Sequence, residues 1–319
     1  MLKVTKKPLI VFLTGGLGNQ LFQLANALTL DSKREIYLEW TLGKPRCNNQ
    51  GLPDLFSFQL PNRSHLMPAT RYSRFTSKTV GYLLRSGIAP KNWEKMRLIK
   101  KATAVLGNLV VSVYFRKLIK VERGIGIGYS ALDVSPSSSF IVGYFQSYKF
   151  TNDIDTYKDL KTMSLATKNS KVEKFVEIAR IEEPIVIHFR FGDYKFESSF
   201  GIPTANYYRN ALTQILAENP DSKIWVFSDE EVEARKVFPS EFMDRTRWFT
   251  DTQLSSAETL EIMRLGKSYV IANSTFSWWG AVLSKTENPS VICPDVWFRF
   301  EAEPLDLIPP SWKRVSAWK

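Results

Sequence analysis

The chain has 319 residues, 44% hydrophobic and 24% charged, the balance of a soluble globular protein long enough for two domains. No run approaches the ~20 apolar residues of a membrane span, no signal-peptide core is present, and two distant cysteines, Cys47 and Cys293, suggest neither a disulfide framework nor a zinc site, so a reducing cytoplasm is expected. The net charge of +11 is concentrated, because residues 63–123 carry fourteen Lys/Arg against Glu94 and Glu122, a local balance of +12. Such a segment suits solvated helix faces, an anionic membrane surface, an acidic substrate or nucleic acid.

In chain order, Leu9 to Leu13 reads as an apolar strand, Gly15, Gly16 and Gly18 as a turn, and the apolar spacing at 21, 24, 25 and 28 predicts a helix. Glycines there let backbone approach a ligand, and the helix start offers N–H groups to an anion. A dinucleotide site, and with it a dehydrogenase, is the obvious alternative, since Glu39 follows a second strand-like run. The third glycine position holds Leu21, however, and the amides of Asn19 and Gln20 crowd the turn, which favours a sugar or diphosphate.

Residues 41–120 are loop-rich at first, and the basic stretch within them is expected to be helical. Residues 133–139, D-V-S-P-S-S-S, read as a loop and a plausible domain edge, followed by an aromatic strand and turn over 140–150. Asp153 and Asp155 match either a metal-holding carboxylate pair or the caps expected after Asn152 at a helix start.

The second half alternates regularly. Helices are predicted at 171–181, 204–217, 230–237, 257–265 and 277–283, and strands at 185–189, 223–227, 268–272 and 291–292, the pattern of a parallel, doubly wound sheet. Three strand ends carry polar clusters: His188-x-Arg190 with Asp193, then Ser228-Asp229, then Asn273 to Ser277. Open α/β sheets bind ligands at such ends. Arg190 there is either a fork for phosphate or carboxylate, with Asp193 orienting it or acting as base, or half of a structural ion pair. The hydroxyl run at 274–277 caps the next helix and suits a diphosphate as well.

Four stretches together resemble the GDP-fucose-dependent alpha-1,2-fucosyltransferases, glycosyltransferase family 11. They are G-G-L-G-N-Q-L-F-Q (15–23), Y-F-Q-S-Y-K-F (144–150), H-F-R-F-G-D-Y (188–194) and A-N-S-T-F-S-W-W-G-A (272–281), with F-S-D-E (227–230) as a fifth, weaker match. They occur in the family's order, whereas residues 41–135 match none of its motifs. The resemblance implies a GT-B-like fold of two Rossmann-like domains facing across a cleft, here 1–150 on the acceptor side, with the basic insert 63–123, and 151–319 binding the nucleotide sugar. It implies metal-independent inversion at the fucose anomeric carbon, with GDP-fucose as donor substrate, a galactoside-type hydroxyl as acceptor and no cofactor.

By position, Arg190 is expected to clamp the diphosphate with His188 beside the nucleotide, Ser274, Thr275 and Phe276 to cradle the phosphates, Asp229 and Asn273 to bind the donor as well, and Gly16, Gly18 and Asn19 to meet the donor from the N-terminal domain. The acceptor proton needs a base, for which Asp193 is the first candidate and Glu197 and Asp229 lower ones; His65 and His188 are the only histidines. One departure stands out, because the family reads H-x-R-R-x-D and Phe191 replaces the second arginine. Alternation along an extended chain points 190 and 191 in opposite directions, so the clamp survives while donor identity or linkage is open. The expected setting is surface-polysaccharide synthesis on a lipid-linked oligosaccharide, with 63–123 against the inner membrane face. Nucleic-acid binding has no motif behind it, and a non-catalytic glycan-binding protein is the remaining alternative.

Overall fold

The computed structural model describes residues 7–68, 74–85, 98–115, 119–124, 127–132, 134–136, 139–249, 254–300, 302–304 and 306–318. They form two compact units, residues 1–163 with 304–308, and residues 164–303 with 309–319.

The first unit runs β1 (Leu9–Phe12), α1 (Leu17–Leu30), β2 (Ile36–Glu39), β3 (Ser64–Leu66), α2 (Arg74–Arg85), α3 (Leu98–Tyr114), β4 (Lys120–Arg123), β5 (Ser139–Val142) and α4 (Ile154–Thr162). Its sheet has the order β3-β2-β1-β5-β4, parallel throughout. Central strands β1 and β5 are apolar and buried on both faces, as covered parallel sheets require. Their chain order reverses between β1 and β5. Because β5 is an inner strand, the loop before it is no domain edge. Because α4 packs on α1, the unit extends to residue 163 rather than 150.

The basic segment proves mixed. Besides α2 and α3 it supplies β3 and β4, and three of its arginines are spent on internal acceptors. Arg63 donates to the carbonyls of Leu28 (2.7 Å) and Asp31 (2.8 Å), Arg85 to those of Leu42 (3.1 Å) and Gly43 (3.3 Å). Arg123 donates to the Leu84 carbonyl (2.8 Å) and Asn108 Oδ1 (2.7 Å), and burial pushes its guanidinium down to about 10. Basic residues at 71, 91, 95, 97, 116 and 117 lie outside the described residues.

The second unit runs α5 (Ser170–Glu182), β6 (Ile185–Phe189), α6 (Ala205–Glu218), β7 (Ile224–Ser228), α7 (Glu231–Val237), β8 (Thr246–Phe249), α8 (Ser256–Met263), β9 (Ser268–Val270), α9 (Thr275–Val282), β10 (Ser290–Asp295) and β11 (Lys313–Ser316). All strands are parallel, in the order β11-β10-β9-β6-β7-β8. Strand β6 is buried at every position, since Pro184 starts it and Ile185, Val186 and Ile187 face helices on both sides. Its core joins Ile187, Phe189 and Phe191 to Tyr208, Leu212 and Val226, each full burial contributing roughly 1.5–3 kcal/mol. Chain order reverses between β6 and β9, so their carboxyl ends form the unit's topological switch point, where open α/β sheets bind ligands.

Candidate active site

At that switch point β6 ends in His188-Phe189 and passes through Arg190 and Phe191 into a short helical turn over Gly192–Lys195. Arg190 is 20% exposed and lies between two carboxylates, Nη1 2.8 Å from Asp229 Oδ2 and Nη2 paired with Asp193 Oδ1. Asp229, at the end of neighbouring β7, also accepts from the Phe191 N–H at 2.9 Å. One carboxylate therefore fixes both the guanidinium and the backbone turn behind it.

Gly192 is required in this turn. Its φ is +28°, and a Cβ there would stand 2.7 Å from Asp229 Oδ2. Tyr194 lies under the arginine, its ring centroid 5.6 Å from the guanidinium carbon, and its hydroxyl donates to the Asn273 carbonyl at 2.9 Å. The sequence signals Tyr194 only as the aromatic directly after Asp193. Its hydroxyl ties the β6 turn to the loop after β9.

That loop leads into α9, capped by Ser274, whose Oγ accepts from the Phe276 N–H at 3.3 Å. Asn273 is fully buried, and its Nδ2 donates to the carbonyls of Phe200 (2.9 Å) and Gly201 (3.1 Å). Thr275 and Phe276 are half-buried in the first turn, and the Phe276 ring lies 6.0 Å from the His188 ring. Burial, then the neighbouring Arg190 charge, push His188 down to about 3, so its imidazole is neutral and a poor proton acceptor. Two buried polar atoms, His188 Nδ1 and Asn273 Oδ1, have no partner among the described residues. Unmet groups of this kind cost about 1–3 kcal/mol each, and native folds keep them mainly where a ligand or water completes them.

Phe191 settles into the core. It is 4% exposed, with its ring parallel to that of Phe189 and facing away from the Arg190 cluster, as alternation along the strand requires. Glu197 is exposed and accepts from the Ser199 hydroxyl at 2.8 Å.

In the first unit the corresponding switch point joins the ends of β1 and β5. Gly15 has φ +79°, and a Cβ there would meet Asn19 Nδ2 at 2.5 Å. At Gly16 a Cβ would meet nothing within 4 Å, so the fold itself does not need that glycine. Gly18 is buried in the first turn of α1. Gln146 Nε2 donates to Asn19 Oδ1 at 2.9 Å, which leaves Nδ2 as the group Asn19 has to offer. Gln146 was missed in the sequence, because only the return of the chain after β5 brings it to α1.

Gln20 is not a ligand group. Fully buried, it donates to the carbonyls of Gly15 and Arg46 and accepts from the Leu55 N–H, which consumes it in bracing the turn. Glu39, placed where a dinucleotide fold meets a ribose, instead accepts from the N–H and hydroxyl of Thr41 and the Leu42 N–H, and burial pushes its carboxyl up to about 7. The dinucleotide reading loses its acidic ribose contact. Asp153 caps α4 through the Thr156 N–H at 2.8 Å, and among the described residues no group of three His, Cys, Asp or Glu could hold a metal ion.

Comparison with known proteins gives the same direction. The chain is 24% identical over 318 residues to an alpha-1,2-colitosyltransferase of Escherichia coli, covering 95% of this chain and 97% of that protein. It is 24% identical over 307 residues to the O-antigen biosynthesis glycosyltransferase WbnK of the same species, covering 90% and 93%. Among solved structures, E. coli ADP-heptose LPS heptosyltransferase II superposes with a TM-score of 0.48 at 11% identity, over 97% of this chain and 90% of that one. The model of the family described as Glycosyl transferase family 11 matches residues 129–313. That match spans more than half of the chain and contains β6, β7, β9 and every polar group at their switch point, so the protein is a glycosyltransferase belonging to glycosyl transferase family 11.

Proposed function

We propose that the protein transfers L-fucose from GDP-fucose to a galactoside-type hydroxyl, with alpha-1,2 linkage and inversion at the anomeric carbon, during assembly of a surface polysaccharide. The observation that carries this reading is Arg190, a half-buried fork held at the β6 end beside the Ser274-capped start of α9. In the reaction the acceptor oxygen forms a bond to the sugar C1 while the bond from C1 to the diphosphate oxygen breaks. Arg190 and the N–H groups at 274–276 stabilise the departing diphosphate. Asn273 Oδ1 and His188 Nδ1, buried without partners, are assigned to the nucleotide. Asn19 is assigned a donor contact through Nδ2, and the backbone at Gly16 a close approach to substrate.

The acceptor proton goes to Asp193. In the ligand-free protein this carboxylate is 70% exposed and paired with Arg190, whereas Asp229 is 26% exposed and also anchored to the Phe191 N–H. An incoming diphosphate competes more easily with the exposed carboxylate. Donor binding therefore displaces Asp193 from Nη2 and frees it to act as base, while Asp229 keeps the arginine in place. This makes Asp229 a positioning residue.

The alpha-1,2-colitosyltransferase among the relatives supports a second donor, nucleotide-linked colitose. A carbohydrate acceptor on a lipid carrier would bring the enzyme to the cytoplasmic membrane face. The test is incubation of purified protein with a panel of nucleotide sugars and galactoside acceptors, with linkage analysis of the product. Transfer from GDP-fucose or from nucleotide-linked colitose to a 2-hydroxyl is expected, and transfer of neither contradicts the reading.

A further inference from the structure

Helix α3 presents an apolar face to solvent. Its exposed side chains include Leu98 (83% exposed), Ile99 (76%), Val105 (52%), Leu106 (49%), Leu109 (63%) and Val113 (76%), and Ala102 is exposed among them. At 3.6 residues per turn these positions fall on one continuous stripe, the arrangement soluble helices reserve for their buried side. The opposite side is fixed inward. Gly107 packs so closely on α2 that a Cβ would meet the Leu83 carbonyl oxygen at 3.0 Å. Val111 is fully buried, and Arg123 holds the Asn108 side chain. The helix cannot roll to hide the stripe without breaking these contacts.

An outward apolar face of this size needs an occupant. The charge of the segment that carries it selects one. Residues 63–123 carry a balance of +12 in the sequence, Lys78 on the adjacent α2 is exposed, and Tyr82 on α2 is 66% exposed. Two copies meeting through this face would bring like charge together, whereas an anionic surface would be attracted. Among the described residues no helix is long and apolar enough to cross a membrane.

We infer that α3 is a membrane-docking helix that lies in the headgroup region of an anionic bilayer, with its 98–113 stripe in the acyl boundary and exposed Lys78 of α2 toward lipid phosphates. The inference is independent of the proposed donor and acceptor.

It is tested by co-sedimentation of the full chain with vesicles of phosphatidylcholine alone and of phosphatidylcholine mixed with phosphatidylglycerol. The wild-type protein is expected to pellet with the mixed vesicles, and added salt should weaken this. The double variant Leu106→Asp with Leu109→Asp should partition at least about tenfold less, because two buried apolar side chains become charged at the boundary. Its thermal midpoint should match the wild type, since both positions are already exposed. Equal pelleting of the variant, or wild-type protein left in the supernatant with both vesicle types, overturns the inference. A lipid-free dimer that the double variant abolishes would assign the face to a second copy and overturn it too.

Discussion

If Asp193 is displaced from Arg190 when the donor binds, Asp193→Asn should have opposite effects on binding and turnover. The amide keeps the shape of the carboxylate and removes its charge, so the nucleotide diphosphate no longer competes with an ion pair for Nη2. Because the carboxylate is 70% exposed, the pair is worth only what a solvated salt bridge is worth, roughly 0.2–1 kcal/mol. GDP should therefore bind up to about fivefold more tightly. Turnover should fall by about 10²- to 10⁴-fold, the usual contribution of a positioned base. Calorimetric titration of GDP and initial-rate transfer on the same preparation measure both. Weaker GDP binding, or undiminished turnover, refutes the displacement. Asp229→Asn should go the other way on binding, because its carboxylate holds both Arg190 and the Phe191 N–H. GDP should bind more weakly there, and unfolding in urea should come earlier by about 1–3 kcal/mol.

Arg190→Lys should lower transfer by about 10²-fold or more with the fold intact, since one ammonium cannot bridge two acceptors; near-normal rates in folded Arg190→Ala protein would disprove the assignment. Gly16→Ala should leave the thermal midpoint unchanged or slightly raised, because its Cβ meets no protein atom, yet reduce transfer; Gly15→Ala, with φ +79° and a contact on Asn19, should lower both. Activity should survive EDTA, and loss restored by Mn²⁺ would revive Asp153 and Asp155 as ligands. For pH, His188 is held near 3 when folded against about 6.5 unfolded, so the unfolded chain binds the extra proton. Stability from this group is present above about 6.5 and is lost as pH falls toward 3, at up to about 1.4 kcal/mol per pH unit. Urea midpoints should follow that slope in the wild type and flatten in His188→Gln.

The second unit was legible in the sequence because its inner strands advertise themselves. The run Ile185–Ile187 between Pro184 and Arg190 can only be a doubly covered strand, and the helices between strands are long enough to show their period. Edge strands β8 and β11 went unseen, since T-R-W-F and K-R-V-S carry the charges that exposed edges use to avoid pairing. Asp306 could not be foreseen as part of the first unit. Its carboxylate accepts from the Tyr129 N–H and the Ser147 hydroxyl, contacts 177 and 159 residues apart in sequence.

The site was legible as residue types and less so as roles. Arg190, Asp193 and Ser274 were visible at strand ends, whereas the binding of Asp229 to both Arg190 and the Phe191 backbone depends on β7 lying beside β6. For the basic segment, counting charges hid the periodicity of α3, which turns one apolar stripe outward. That is a property of packing, which no residue count contains.

Fucosyl transfer assisted by Arg190 is tested most directly by release of GDP and formation of a 2-linked fucosyl product from GDP-fucose and a galactoside, comparing wild type with Arg190→Lys at matched folded concentration. Product is expected with the wild type and about a hundredfold less with the variant. Equal rates in the two proteins, or wild-type transfer only from a sugar linked to a different nucleotide, would contradict it.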